Sequence, residues 1–433
     1  MSALETADHR RDGHRVLEHR LAVPLDHADP AGERITIFAR EIVRDGGEDL
    51  PHLLYLQGGP GGRADRPAQL TGWLDRALRD YRVVLLDQRG TGLSTPADAL
   101  TVTARGDARA QADYLAKFRA DAIVDDAERL REALLGGTPW SLLGQSFGGF
   151  VITRYLSVAP HAVREALVTG GLPGLTAGAE DVYRRTYALT ARRNRQYFAR
   201  YPGDEASLRL LARHLADTVE LLPTGERLTP RRVRQIGIRL GADLGFDALH
   251  YVLEDPFVTV GGTRRVSRAV LADVGALLSH ATNPLYAVLH EAIYAQGRAT
   301  RWAAHRLREH VDGFAEDADP ADTSIPFFLT GEHVYPWQLR EDPALAPLAD
   351  AADLLAAKDD FPVLYDPEAL AADGPPVAAA VYLDDMFVPF DLSMATAEAL
   401  HDARPWVSND YAHDGIRTDG ARILDRLIAL ARR

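Results

Sequence analysis

The stretch Gly144-Gln145-Ser146-Phe147-Gly148-Gly149 decides how this chain is read. It lies between Trp140-Ser141-Leu142-Leu143, a short apolar run with the character of a buried strand, and Gly148 to Leu156, which reads as a helix. At a sharp strand-to-helix turn, small residues two positions before and after a serine relieve contact with the neighbouring chain, and the hydroxyl projects from the end of the sheet. The helix beginning just beyond it points backbone N–H groups at any negative charge that develops there. Ser146 is therefore the candidate nucleophile, and the amide of Phe147 a candidate oxyanion donor.

Working outward, His52 to Leu56 and Arg82 to Leu86 are further short apolar runs ending in glycine-bearing loops, as buried parallel strands do. Ala68 to Arg79, between them, has helical spacing. Ala120 to Leu135 is an amphipathic helical stretch before the nucleophile strand, and Ala166 to Thr169 supplies another strand. Nearer the start, Leu17 to Val23 and Ile35 to Ile42 read as a leading hairpin. From about Leu175 to Asp373 the pattern turns to long helical stretches rich in Arg and Ala. After Gly374-Pro375-Pro376, strand patterns return at Val377 to Leu383 and Arg404 to Ser408, and Ala421 to Arg432 reads as a closing helix. Alternating strands and helices imply an α/β protein with a mostly parallel sheet flanked by helices. The expectation is an α/β-hydrolase fold: residues 1–174 form the first part of the core, 175–373 a large, mainly helical cap insertion, and 374–433 the second part of the core.

A serine hydroxyl needs a base, and in this fold the order along the chain is Ser, then Asp or Glu, then His. Asp384 and Asp385 follow the strand Val377 to Leu383, and spacing does not choose between them. His413 follows the last strand pattern. His401, the competing base, falls in an apparent helix from Leu392 to Asp402. The loop Gln57-Gly58-Gly59-Pro60-Gly61-Gly62 follows the third strand pattern, where this fold supplies its second oxyanion N–H, and Gly59 is the candidate.

Composition narrows the classes. The chain has 433 residues, 46% hydrophobic and 26% charged, the balance of a globular protein with a large core. A net charge of -13 without a basic tract argues against nucleic-acid or acidic-membrane partners. There is no cysteine, which removes thiol catalysis, disulfides and thiolate metal sites. Met1 to Arg20 is polar, with no apolar run resembling a signal peptide or a membrane helix, so cytoplasmic residence is the expectation. The composition leaves the oligomeric state open.

Three motifs taken together carry a family resemblance: Gly58-Gly59-Pro60-Gly61, then Asp87-Gln88-Arg89-Gly90-Thr91-Gly92-Leu93-Ser94, then Gly144 to Gly149. In these the chain resembles the prolyl aminopeptidases (proline iminopeptidases) of serine peptidase family S33. Gly245 to Tyr251, His290 to Gly297 and Thr330-Gly331-Glu332 are similar to the longer bacterial subgroup, so nearly the whole chain is covered. Gln57 stands where many members have His, a departure that leaves the loop amides intact. The resemblance implies that Asp385, in Asp385-Met386, is the triad acid and His413 the base, and that Glu291 and Glu332 bind the substrate's amino group. It implies removal of N-terminal proline, with other small residues as alternatives, through an acyl-enzyme and without metal or organic cofactor. Phe246, Tyr251, Tyr294, Tyr335 and Trp337 lie in the right insertion to wall a pyrrolidine pocket, although packing is the commoner role of such residues. The alternatives are a small-molecule ester or amide hydrolase, a tripeptidyl aminopeptidase, or a non-catalytic ligand-binding protein on the same scaffold.

Overall fold

The computed structural model describes residues 4–433. Nine strands form one sheet: β1 (Glu5–Arg11), β2 (His14–Pro24), β3 (Arg34–Arg44), β4 (His52–Leu56), β5 (Arg82–Asp87), β6 (Trp140–Gln145), β7 (Val163–Thr169), β10 (Val377–Tyr382) and β11 (Ala403–Ser408). Their spatial order is β1-β2-β3-β5-β4-β6-β7-β10-β11. The pairs from β5 to β11 are parallel, and β1, β2 and β3 add an antiparallel edge. A separate hairpin, β8 (Phe257–Val260) with β9 (Thr263–Val266), lies in the insertion.

The central strands are buried on both faces, which is why they read as continuous apolar runs rather than alternating ones. Successive residues nevertheless serve opposite faces. Val84, Leu86, Leu54 and Leu142 join one core with the helices Ala120–Leu135 and Phe147–Val158, whereas Val83, Leu85, Leu53 and Leu143 join another with the helices Gly72–Ala77 and Gly420–Ala431. The first core continues into the insertion through Leu208, Leu211, Leu240 and Leu249, so the two parts share one packed interior.

Four local expectations change. The leading hairpin is a three-stranded meander. Its first strand, β1, is exposed along its whole length and polar in sequence, so it has no apolar alternation to reveal it. The helix expected over Ala68 to Arg79 is confined to Gly72–Ala77. The helix expected over Leu392 to Asp402 spans Phe390–Ala399, which leaves His401 beyond its end, half exposed and 3.6 Å from Asp373. The insertion holds helices and the β8–β9 hairpin, and it rejoins the sheet at β10. Among the described residues, no helix is long and apolar enough to cross a membrane.

Candidate active site

Strand β6 ends at Gln145 and the next helix begins at Phe147, so Ser146 alone makes the turn. Its backbone sits at φ +54° and ψ −125°, a left-handed conformation that a non-glycine residue holds only when its surroundings enforce it. Those surroundings are crowded backbone. A Cβ on Gly148 would stand 1.9 Å from the Leu56 carbonyl oxygen, and one on Gly149 would stand 2.3 Å from that of Gly171. The amide of Ser146 donates to the Thr169 carbonyl at 3.1 Å, which pins the turn to the neighbouring strand. Phe147 opens its helix, so its N–H has no partner within that helix.

Asp385 lies just beyond β10 and is 1% exposed. Its Oδ1 accepts from the amides of Phe387 (2.8 Å) and Val388 (3.0 Å), and its Oδ2 lies 2.7 Å from His413 Nδ1. The carboxylate thus places the imidazole proton on Nδ1 and leaves Nε2 as the acceptor. Burial pulls the His413 pKa down, but the neighbouring Asp385 charge, its hydrogen bond and the more distant Glu332 outweigh it, and the net shift is upward. Asp384, the other sequence candidate, points away and pairs with Arg192 of the insertion at 2.6 Å.

A residue not singled out from the sequence also reaches the histidine: the Gln145 side-chain amide is 3.3 Å from His413 Nε2. The preceding loop is held just as firmly. Tyr55 donates to Gln57 Oε1 at 2.9 Å, and Gln88 Nε2 to the Gln57 carbonyl at 3.0 Å. Asp87 accepts from the amides of Ala64 (3.1 Å) and Leu93 (2.8 Å) and pairs with Arg66. Arg89 is fully buried and forks onto Asp126 at 2.6 and 2.7 Å. The Asp87 to Ser94 motif is therefore a clamp that fixes the glycine loop, which explains its specificity without assigning it chemistry. Gly61, at φ +73°, has Leu285 and Tyr286 of the insertion packed where a Cβ would stand, so the loop presses directly on the cap.

Ser146, His413, Gly59, Gln145 and Glu332 line one cavity of about 550 Å³, which is the size of a small-ligand site. Its other walls include Phe387, Val334, Tyr286, His280, Arg239 and Arg417. Glu332 is half-buried, and Tyr286 donates to its Oε1 at 2.9 Å. Burial raises the Glu332 carboxyl to about 7, with Asp385 adding to the shift against the pull of His413 and the Tyr286 hydroxyl.

Glu291 is placed differently. It is 5% exposed, and its two oxygens accept from the amides of Ala303 (3.0 Å) and Ala304 (2.9 Å), the opening of the helix Ala303–Arg308. It does not line the cavity, so the paired role expected for Glu291 and Glu332 divides: only Glu332 faces Ser146. The five aromatic candidates for a pocket wall also lie off the cavity. Tyr335 and Trp337 stack on each other at 5.3 Å, Phe246 packs on Tyr197, Tyr294 packs on Phe150 and Tyr183, and Tyr251 is exposed. Gln235, Arg239, His280, Tyr286 and Arg417 line it without having been singled out, because their spacing along the chain carries no common period.

Core and insertion are stitched together at the histidine. The amide of His413 donates to the Gly241 carbonyl at 3.1 Å, the amide of Asp243 to Asp414 Oδ1 at 2.8 Å, and Thr418 Oγ1 to Asp243 Oδ2 at 2.8 Å; the amide of Ala412 donates to Asp243 Oδ1.

Comparison with known proteins adds the lineage. Residues 51–243 match the α/β-hydrolase fold family. The proline iminopeptidase of Aeromonas sobria is 47% identical over 424 residues, covering 97% of both chains. The proline iminopeptidase aneH of Aspergillus aculeatus is 34% identical over 96% of this chain and 93% of its own length. A probable proline iminopeptidase of Streptomyces coelicolor is 33% identical over 36% of this chain and 44% of its own length. With the fold and the Ser146 turn on one side and these near full-length identities on the other, the chain belongs to the proline iminopeptidase family.

Proposed function

We propose that the chain releases N-terminal proline from peptides, with Ser146 as nucleophile, His413 as general base and acid, and Asp385 orienting the imidazole. The observation that carries this reading is a half-buried carboxylate, Glu332, in the same cavity as Ser146 and His413. An exopeptidase must hold a cationic terminal amine at a fixed distance from its nucleophile, and a charge-assisted hydrogen bond in a shielded cavity supplies both attraction and register. The Tyr286 hydroxyl fixes the orientation of that carboxylate. Apolar contact with the pyrrolidine ring comes from Phe387 and Val334.

With the amine on Glu332, the Ser146 hydroxyl takes the place of the Gln145 amide beside His413 Nε2. It attacks the scissile carbonyl as Nε2 accepts its proton. The oxyanion is met by the amides of Phe147 and Gly59, in an arrangement that needs no reorganisation during the step. His413 then protonates the departing amine as the C–N bond breaks. Water, deprotonated by the same nitrogen, cleaves the prolyl ester and restores Ser146.

The test compares prolyl-β-naphthylamide with its N-acylated form, beside Ser146→Ala. Release from the free amine alone, lost in the variant by roughly 10⁴-fold or more, is the expected result. Hydrolysis of simple esters with no need of a free amine would replace this reading with that of a small-molecule esterase.

A further inference from the structure

The wall of the cavity next to His413 carries two arginines that the mechanism above does not use. Arg417 lies four residues beyond His413 in the short helix Gly415–Thr418, and Arg239 lies in the cap two residues before Gly241, whose carbonyl accepts from the His413 amide. Both side chains are exposed, and among the described residues neither guanidinium has an ion-pair or hydrogen-bond partner. Other cap arginines are engaged: Arg192 with Asp384, Arg193 with the Leu240 carbonyl, Arg231 with Glu341 and Arg234 with the Phe328 carbonyl. The nearest acid on the same wall, Asp414, is held through Oδ1 by the Asp243 amide.

Two cations on one wall of the cavity, neither ion-paired with the carboxylates Asp414 and Glu332 that line it too, leave a positive patch open to an anionic group of the substrate. The direction of the substrate decides what meets it. The prolyl amine goes to Glu332, and the leaving amine must lie at His413 Nε2, which protonates it. Whatever follows the scissile bond therefore runs out past the element that bears Arg417. In a dipeptide, that group is a free carboxylate separated from the leaving nitrogen by one carbon. We propose that Arg417, assisted by Arg239, binds the C-terminal carboxylate of short peptides, so that the enzyme distinguishes prolyl dipeptides from peptides blocked or extended at that end. Guanidinium groups suit this task because they meet a carboxylate with two parallel donors. The inference rests on the prolyl aminopeptidase reading, which sets which end of the peptide faces which wall.

The experiment measures kcat/KM for Pro-Ala and for Pro-Ala-amide in the wild-type protein, Arg417→Ala, Arg417→Lys and Arg239→Ala. The readout is the ratio of acid to amide, which cancels any general loss from a shifted His413. The wild-type ratio should be about tenfold in favour of the acid, as a partly shielded charged hydrogen bond allows. It should fall toward one in Arg417→Ala, fall less in Arg239→Ala, and be only partly restored in Arg417→Lys, which keeps the charge but not the two-donor fork. It should also shrink as salt is raised. A wild-type ratio near one, or a ratio unchanged in Arg417→Ala, would overturn the assignment. Prolyl-β-naphthylamide is assayed beside them: its turnover with a flat acid-to-amide ratio defeats this inference alone, whereas no turnover defeats the aminopeptidase reading and this inference with it.

Discussion

The two sides of the cavity are built by different means. On the sheet side, Ser146 is fixed by backbone packed against glycines, and Asp385 by two backbone amides and an imidazole. On the cap side, Glu332 is held by one side-chain hydroxyl, in surroundings that leave its carboxyl poised near neutrality. The sheet side can tolerate almost no change in geometry, and in the proposed mechanism it carries the chemical step. The cap side is more loosely held, and in the proposed mechanism it selects substrates and sets part of the pH dependence.

The largest expected effect lies on the sheet side. Asp385→Asn keeps the shape but loses the charge that sets the His413 tautomer, and kcat should fall about 10³- to 10⁴-fold. Steady-state kinetics on prolyl-β-naphthylamide checks this, and a small loss would mean that the two sides are not as distinct as described. Glu332→Gln should act mainly on binding, raising KM about 10- to 100-fold with a smaller change in kcat. Equal losses in kcat and kcat/KM would make Glu332 part of the chemical step instead.

The same variant sharpens the contrast through pH. The proposed mechanism needs His413 neutral, to accept a proton, and Glu332 ionised, to hold an ammonium group. With the His413 value raised and the Glu332 value near 7, both protons shut the enzyme off as pH falls below neutrality. The acid limb of kcat/KM should therefore approach a two-proton slope in the wild type. In Glu332→Gln it should become a one-proton slope with a lower midpoint, because the carboxylate that helps keep His413 protonated is gone. Stability runs the opposite way. A carboxyl whose folded value lies above its unfolded value favours the folded state most below the unfolded value, near pH 4.5, and that contribution fades as pH climbs toward 7. Glu332→Gln should thus gain Tm over the wild type at pH 8 and not at pH 4, a gain bought with lost binding.

Smaller effects lie outside the cavity. Glu291→Gln puts an amide donor against the amide of Ala303 or Ala304, and should cost about 1–3 kcal/mol of stability by denaturant titration. The KM for prolyl substrates should stay close to the wild-type value in the folded fraction. Asp384→Asn breaks only the partly exposed pair with Arg192, and should change stability by less than about 1 kcal/mol.

The parts of the molecule that could be read from sequence are those whose backbone imposes its own residues. A strand, one serine and a helix need the glycines at 144 and 148, and the central strands need unbroken apolar runs because both faces are covered. The order Ser, Asp, His then reduced the partners to a few positions, and the geometry separates Asp385 from Asp384 by where each carboxylate points. What could not be read was assembled at a distance. Tyr286 and Glu332 meet across 46 residues, and Glu291 and Glu332 look alike in sequence although one closes a helix end and the other shares a cavity with Ser146. Strand β1 escaped notice for the opposite reason: it is exposed throughout, and its cross-strand side-chain contacts, Thr6 with His19 and Asp8 with Arg15, are polar, so its side chains carry no apolar alternation.

The hydrogen bonds that join Gly241 and Asp243 to the stretch from Ala412 to Thr418 bear on how such an enzyme could diverge. A lid that merely covers a site can be exchanged for another without harm to the machinery beneath it. Here the lid also supplies anchors for the loop that carries His413, so a foreign lid would arrive without the contacts that hold that loop in place. New specificity in this chain is therefore more accessible through point changes on the cavity wall than through exchange of the whole lid.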